Sequence, residues 1–197
     1  MVVKGQKNKK KVLPNKVRII AGLWKGQYID VIDVDNLRPT PNRIRETLFN
    51  WLSDAIEGAI CVDLFAGSGS LGIEAASRGA EFVTFVDKDF QVVANLKRQL
   101  SKLGAKETEV IQTHAWTYIE SVREPVDIFF LDPPFKKEML IPAFNKLSRS
   151  KSLKEGSIVY AEAPADWHPE APAGWTILKS KQTSKVSYHL LSVKNII

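Results

Sequence analysis

Four separate stretches of this sequence carry side chains whose types and spacing could do chemistry. The first is Val62-Asp63-Leu64-Phe65-Ala66-Gly67-Ser68-Gly69-Ser70-Leu71-Gly72, in which Gly67, Gly69 and Gly72 have the G-x-G-x-x-G spacing. It reads as a strand that stops, a tight turn and a helix that starts. Glycine lets the backbone turn sharply and lie close to a ligand, and the free N–H groups of a helix N-terminus suit something anionic or nucleotide-like. Asp87 follows about twenty residues after the first glycine, where a carboxylate accepts hydrogen bonds from ribose hydroxyls. Asp63, at the start of the turn, would repel a pyrophosphate but suits an ammonium or a sulfonium.

The last point separates two cofactors that share a ribose, and it favours S-adenosylmethionine over a dinucleotide. Asp132-Pro133-Pro134-Phe135 then supplies a reaction. An exocyclic amine on a base has its lone pair conjugated into the ring. A carboxylate and a backbone carbonyl accepting its two N–H bonds return electron density to nitrogen and aim the lone pair at a methyl group. Two prolines stiffen the turn and offer no competing N–H donor. Phe135 gives a face on which a flipped-out base can stack. Positioning of this kind can supply roughly 7–11 kcal/mol of barrier lowering. No metal is expected, because a sulfonium is already the electrophile.

The elements that must position these groups follow from periodicity. Residues 60–65, 82–87, 109–112, 126–131 and 157–161 are apolar runs of strand length, separated by helices expected over 70–78, 90–103, 116–122 and 139–147. Continuous apolar strands alternating with helices mean a mostly parallel sheet covered on both faces, an α/β fold. The glycine turn, Asp87, the 112–116 segment and Asp132 each follow a strand, so they should converge on one rim of the sheet. Residues 163–174 read as a loop, and 175–180 and 186–193 as a C-terminal antiparallel hairpin that completes a seven-stranded sheet. Ahead of this unit, residues 17–33 predict a β-hairpin turning at residues 24–27. Thr40 predicts an N-cap and Pro41 a first helical residue, with the helix running to about residue 57. Domain organisation is therefore a basic disordered tail over 1–16, a hairpin-and-helix extension over 17–58 and a catalytic domain over 59–197.

Composition bounds the class. The chain has 197 residues, 44% hydrophobic, with a formal net charge of +6. One α/β domain with a real core fits that length, and the positive balance suits a polyanionic partner. The single cysteine, Cys61, excludes an internal disulfide and fits a reducing cytoplasm. No run is apolar and long enough to span a bilayer. Lys9, Lys10 and Lys11 sit in an acid-free tail that could track phosphates or remain a solvated extension. Arg18 and Lys25 with the aromatic Trp24 and Tyr28 could form an RNA-facing surface; equally, the aromatics could pack the hairpin onto the domain. Arg43 and Arg45 lie near a helix start, against its dipole, which points to an anionic ligand or to a local acid such as Glu46 or Asp54.

The glycine turn, Asp87 and Asp132-Pro133-Pro134-Phe135 together resemble the class I S-adenosylmethionine-dependent amino-methyltransferases, a Rossmann-like fold. More narrowly the chain resembles the bacterial RsmD family of 16S rRNA guanine-N2 methyltransferases. The matching stretches are Val17-Arg18-Ile19-Ile20-Ala21-Gly22, Leu37-Arg38-Pro39-Thr40, Arg43-Ile44-Arg45-Glu46-Thr47-Leu48-Phe49-Asn50-Trp51-Leu52, residues 63–74 and Val186-Ser187-Tyr188. The resemblance implies methylation of N2 of one guanosine in 16S rRNA, with the 30S subunit or its assembly intermediate as partner, by a cytoplasmic monomer that uses S-adenosylmethionine. It implies cofactor contacts from Asp63, Phe65, Ala66, Gly67, Ser68, Gly69, Asp87 and Lys88, and from Arg38, Thr40 and Arg45 over the methionyl end. It implies that Asp132, Pro133, Pro134 and Phe135 hold the target base, with Lys136 and Arg43 among the groups near RNA. The chain departs from the family pattern at His114, where Asp or Asn is usual, and at Lys88, where an apolar residue is usual; Ala115 would then meet the adenine through its backbone. The alternatives are an adenine-N6 methyltransferase on DNA or RNA, which would want a separate recognition domain, and a non-catalytic rRNA-binding assembly factor. A dinucleotide-dependent reductase fits less well, given Asp63 and no evident hydride-transfer acid.

Overall fold

The computed structural model describes residues 16–32, 40–134, 137–167 and 170–194, without the side chains of residues 137 and 138. The expectations for Lys9, Lys10, Lys11, Arg38, Phe135 and Lys136 fall outside the described residues. A short antiparallel pair, β1 (Lys16–Arg18) and β2 (Tyr28–Asp30), comes first. It is followed by α1 (Asn42–Trp51) and then by strands and helices in alternation: β3 (Ile60–Asp63), α2 (Ser70–Ser77), β4 (Phe82–Asp87), α3 (Phe90–Leu103), β5 (Thr108–Gln112), α4 (Ala115–Ser121), β6 (Ile128–Leu131), α5 (Lys137–Leu147) and β7 (Ile158–Pro164). The hairpin β8 (Trp175–Gln182) and β9 (Val186–Val193) closes the chain.

Seven strands form one sheet in the order β5-β4-β3-β6-β7-β9-β8, parallel except for β9, which runs against both β7 and β8. Alternation along the strands sorts side chains into two cores. Cys61, Phe85, Phe130 and Tyr160 face α1, α2 and α3, while Val62, Val86, Phe129 and Leu131 face α4 and α5. Every residue of β6 is completely buried, as a central strand covered on both faces requires. The chain steps outward from β3 to β4 and β5, then returns to β6 on the other side of β3. That reversal is the switch point, where the carboxyl ends of two adjacent strands diverge and leave a crevice.

The hairpin is held to this sheet by one buried carboxylate. Glu74 of α2 is completely buried. It accepts hydrogen bonds from the backbone N–H groups of Ile20 (2.8 Å) and Ala21 (3.0 Å), from Arg45 Nη1 of α1 (3.3 Å) and from Arg78 Nε (2.8 Å). The hairpin loop comes so close to α2 that a Cβ on Gly22 would lie 1.7 Å from the Ser77 carbonyl oxygen, and its φ of +79° also suits only glycine. Asp30 at the hairpin's return ties it to α3, its carbonyl accepting from Asn95 Nδ2 (3.0 Å) and Gln99 Nε2 (2.9 Å).

Three sequence expectations change here. The hairpin has three-residue strands; Ile19 still exchanges backbone bonds with Gln27 and Gly26, but residues 20–24 form a loop docked on α2, because the N–H groups of Ile20 and Ala21 go to Glu74 and those of Leu23 and Trp24 to Ser77. Trp24 is buried in the core, so it packs the hairpin down and faces no RNA. The first helix stops at Trp51, since beyond it Leu52 O accepts from the N–H groups of both Ala55 and Ile56 in turns, and Gly58 N–H goes to Gly79 O.

Glu74→Ala would strand the buried Arg45 cation and two backbone donors. Breaking a buried pair of this kind costs about 3–5 kcal/mol. Urea unfolding should show that loss, with early exposure of the Trp24 side chain seen by fluorescence.

Candidate functional site

The rim of the sheet collects the groups singled out above. Asp63 ends β3 and is 1% exposed. Its Oδ2 accepts from the backbone N–H of Gly72 at 3.1 Å, which ties the strand end to the first turn of α2. Between them the chain turns through Gly67 (φ +49°) and Gly69 (φ +76°), the latter in the left-handed region at the helix N-cap. The third glycine of the motif has a packing reason: a Cβ on Gly72 would lie 2.3 Å from the Phe85 ring, so α2 could not lie this close to β4 with any side chain there. Asp87 ends β4 and reaches back to the same turn, its Oδ2 accepting from Gly67 N–H (3.0 Å) and its Oδ1 from Asp89 N–H (2.9 Å). Phe65 meets Trp116 of α4 edge to face, with ring centroids 5.9 Å apart. Ala66 and Ser68 are buried in the turn, Ala115 is buried at the start of α4, and Lys88 and His114 are exposed at the ends of their strands.

Asp132 follows β6 directly across the switch point. Its Oδ2 accepts from the Thr40 hydroxyl at 3.0 Å, so the segment leading into α1 lies over the start of the Asp132-Pro133-Pro134 turn. Pro133 is buried and Pro134 exposed. Behind Asp132, on the neighbouring strand β7, stands Glu162, also buried, with Tyr160 Oη donating to its Oε2 at 3.0 Å.

The electrostatics of this rim have one sign. Burial pushes Asp63 up to about 7; the Gly72 N–H opposes the shift, and the negative charges of Asp132 and Asp87 add to it. Burial likewise raises Asp132, against the Thr40 hydrogen bond, and raises Glu162, with Asp132 adding its repulsion. None of Asp63, Asp87, Asp132 and Glu162 is paired with a lysine or arginine among the described residues. A rim of desolvated carboxylates without a counter-cation suits a ligand that brings positive charge. No group of side chains that could hold a metal ion occurs among the described residues.

The structure thus brings together Asp63, Phe65, Ala66, Gly67, Ser68, Gly69, Asp87, Thr40, Asp132 and Pro133. It turns Arg45 elsewhere. That side chain is 1% exposed and gives its guanidinium to Glu74, to Arg18 O (2.7 Å), to Asn42 Oδ1 (2.7 Å) and to Ser70 O (3.5 Å). It holds elements together and is not open to a ligand, and its partner is neither Glu46 nor Asp54. Thr40 does not cap α1; Pro41 stands at the N-cap and the Thr40 hydroxyl goes to Asp132. Arg18, Lys25 and Arg43 are exposed. Sequence reasoning missed Glu74 and Glu162. The available signal was the same for both: an acid inside an otherwise apolar run, Ile73-Glu74-Ala75 and Tyr160-Ala161-Glu162-Ala163.

Comparison with known proteins agrees with this geometry. Residues 17–192 match the family described as conserved hypothetical protein 95. The ribosomal RNA small subunit methyltransferase D of Haemophilus influenzae is 42% identical over 179 residues, 89% of this chain and 93% of that protein. The protein of the same name from Escherichia coli K12 is 38% identical over 176 residues, 89% of each. A solved Escherichia coli structure described as a methyltransferase, yhhF, superposes with a TM-score of 0.84 at 35% identity, covering 91% of this chain and 98% of the other.

Because Asp63 holds its proton more tightly when folded than when unfolded, the folded state binds more protons between the ordinary Asp range and about 7. Stability should therefore fall as pH rises through that window, as Asp63 is forced to ionise. Urea midpoints measured from about pH 5 to 8 should show the decline. Asp63→Asn should flatten the part that belongs to this residue, leaving the same-sign contribution of Asp132 and Glu162.

Proposed function

The chain belongs to the family described as conserved hypothetical protein 95, the RsmD family, and from that premise we propose that it transfers a methyl group from S-adenosylmethionine to the exocyclic N2 of a guanosine in 16S rRNA of the small ribosomal subunit. The observation that carries the reading is the convergence of Asp63, Asp87 and Asp132 at the carboxyl ends of β3, β4 and β6, buried or half-buried and with no paired cation among the described residues. The relatives' names supply the substrate class.

S-adenosylmethionine, when bound, supplies a methyl group on a positively charged sulfur together with an ammonium group, and both charges suit this rim. Asp63 would meet the ammonium end and become ionised by it, Asp87 would accept from the ribose hydroxyls, and the Gly67 and Gly69 turn would let the backbone lie against the ligand. Phe65, Ala66, Ser68, Lys88, His114 and Ala115 border the same turn and strand ends, on the adenosine side. Asp132 would take one N–H of the target amine and a backbone carbonyl of the proline turn the other, which aims the nitrogen lone pair at the methyl carbon. The Thr40 hydroxyl occupies Oδ2, so Oδ1 is the oxygen left for the amine. Phe135 would stack on the base. Exposed Arg18, Lys25 and Arg43, with Lys9, Lys10, Lys11 and Lys136, would meet phosphates.

The direct test incubates the protein with isotopically labelled S-adenosylmethionine and 30S subunits from a strain lacking this enzyme, then identifies the labelled nucleoside by mass spectrometry. N2-methylguanosine at one site is the expected product; N6-methyladenosine would overturn the guanine assignment. Asp132→Ala should keep cofactor affinity, measured by calorimetry, while turnover falls on the order of 100-fold or more through loss of amine positioning. Equal loss of both would remove that role. Thr40→Val should lower kcat by about 10-fold, the value of one hydrogen bond to a charged group, with cofactor affinity little changed.

A further inference from the structure

The outer edge of the sheet carries a charge pattern that the chemistry assigned so far does not use. From Ala171 to Lys194 the sequence holds four lysines and no acid. Three of them, Lys179, Lys181 and Lys185, lie on β8 and the turn after it, and all three are exposed. β8 is the outermost strand, and its alternation changes faces part-way. Trp175 and Ile177 stand opposite Val193 and Leu191, on the face of α4 and α5. The register then slips, so that Leu178 is passed over and Lys179 stands opposite Leu190. Leu190 and Tyr188 belong to the face of α1, and Lys179 and Lys181 opposite them share it. An unbroken strand would put both lysines with Trp175 instead; the bulge re-aims them. The intervening Ser180 agrees, since its hydroxyl meets His189 Nδ1 at 2.6 Å and His189 packs against Trp167 on the other face.

That face leads to the rim. Pairing sets Leu131 beside Ala161, Glu162 beside Tyr188 and Tyr188 beside Lys181. Asp132, Glu162, Tyr188 and Lys181 therefore stand in one row across β6, β7, β9 and β8, and three strand spacings put the Lys181 backbone roughly 14 Å from that of Asp132. Lys179 stands one row back, in line with Leu190 and Tyr160. Lys185 precedes Val186, which pairs with Pro164 at the end of β7, so the turn also lies on the rim side. Trp51 of α1 rests on Tyr188, ring centroids 5.4 Å apart, and the lysines beyond it are left to solvent. None of the three forms an ion pair among the described residues. We propose that Lys179 and Lys181, with Lys185 beyond them, hold backbone phosphates of the RNA strand that delivers the target base to Asp132. The identity of the ligand rests on the methyl-transfer reading; the surface itself rests on the bulge and the row. Lysine suits the task, because a point charge on a flexible stem reaches a phosphate without fixed geometry, and such contacts position a strand without reading its sequence. Lysines and a bulge can also guard a sheet edge against pairing with another chain. The two roles separate by experiment.

The experiment compares the full chain with the double variants Lys179→Gln/Lys181→Gln and Lys179→Arg/Lys181→Arg in two assays. One is steady-state methylation of 30S subunits. The other is binding of a 16S rRNA transcript between about 50 and 200 mM salt, which does not need methyl transfer. In the glutamine variant KM for the subunit should rise about 10-fold, with kcat and affinity for S-adenosylhomocysteine little changed. The log–log salt slope for the transcript should shrink by about 1.4, at roughly 0.7 for each lost single-strand contact. The arginine variant keeps both charges and should stay near the wild type in both assays. An unchanged KM and salt slope in the glutamine variant overturns the proposal. Oligomers formed by that variant with RNA affinity intact also overturn it, in favour of edge protection. A raised KM for 30S subunits with unchanged transcript binding overturns it too, in favour of an acidic protein surface as the partner. A wild-type protein that transfers no methyl group but binds the transcript with the expected slopes overturns the functional reading and leaves the RNA surface standing.

Discussion

The arrangement depends on the buried carboxylate of Glu74. Four donors from three stretches of chain converge on it: two peptide N–H groups of the hairpin loop, Arg45 from α1 and Arg78 from its own helix. A carboxylate buried with one partner would cost more than it returned, but one whose oxygens are filled by two cations and two peptide donors is stable in place. The Arg78 guanidinium also lies 4.9 Å above the buried Phe49 ring, which seats α1 on the same helix. The consequence reaches the site from both sides. The helix that carries Glu74 begins at the glycine turn, and the helix that carries Arg45 begins at the segment whose Thr40 holds Asp132. The two walls of the crevice are thus fixed to each other through an interaction that touches no ligand.

The crevice itself is where a parallel sheet reverses its order, and its character follows from burial. The ends of β3, β4 and β6 each place an aspartate at the rim, and β7 places a glutamate beside the last. Burial raises the proton affinity of Asp63, Asp132 and Glu162, and the charge of Asp132 adds to the effect at Asp63 and Glu162. Such a rim is unfavourable to leave charged when empty and becomes favourable when a cation enters. On the proposed function, stability of the free protein and affinity for the cationic cofactor would be opposed through the same side chains, as expected where a site is prepared for its ligand in advance. The glycine turn contributes differently. Gly69 gives the left-handed turn, Gly67 brings its N–H to Asp87, and Gly72 is there so that α2 can lie against Phe85.

How much of this was legible in the sequence depends on the range of the interaction. Strand and helix order, the parallel sheet with its antiparallel C-terminal hairpin, and the convergence of Asp63, Asp87 and Asp132 on one rim follow from local periodicity together with one topological rule. Those signals are written within a few residues of each other, because side chains alternate in strands and recur every third or fourth residue in helices. What the tertiary structure decided was partnership. Thr40 has the composition of an N-cap, yet its hydroxyl goes to Asp132, 92 residues away. Arg45 stands where an anion could be met, yet it turns inward to Glu74, 29 residues on. Trp24, on a basic hairpin, is buried in the core, and Glu162 stands beside Asp132 only because register sets β7 beside β6. A polar side chain in sequence shows only what it can donate or accept. Which partner it takes is set by desolvation in the folded chain, where each buried group must find a complement and only a few are within reach.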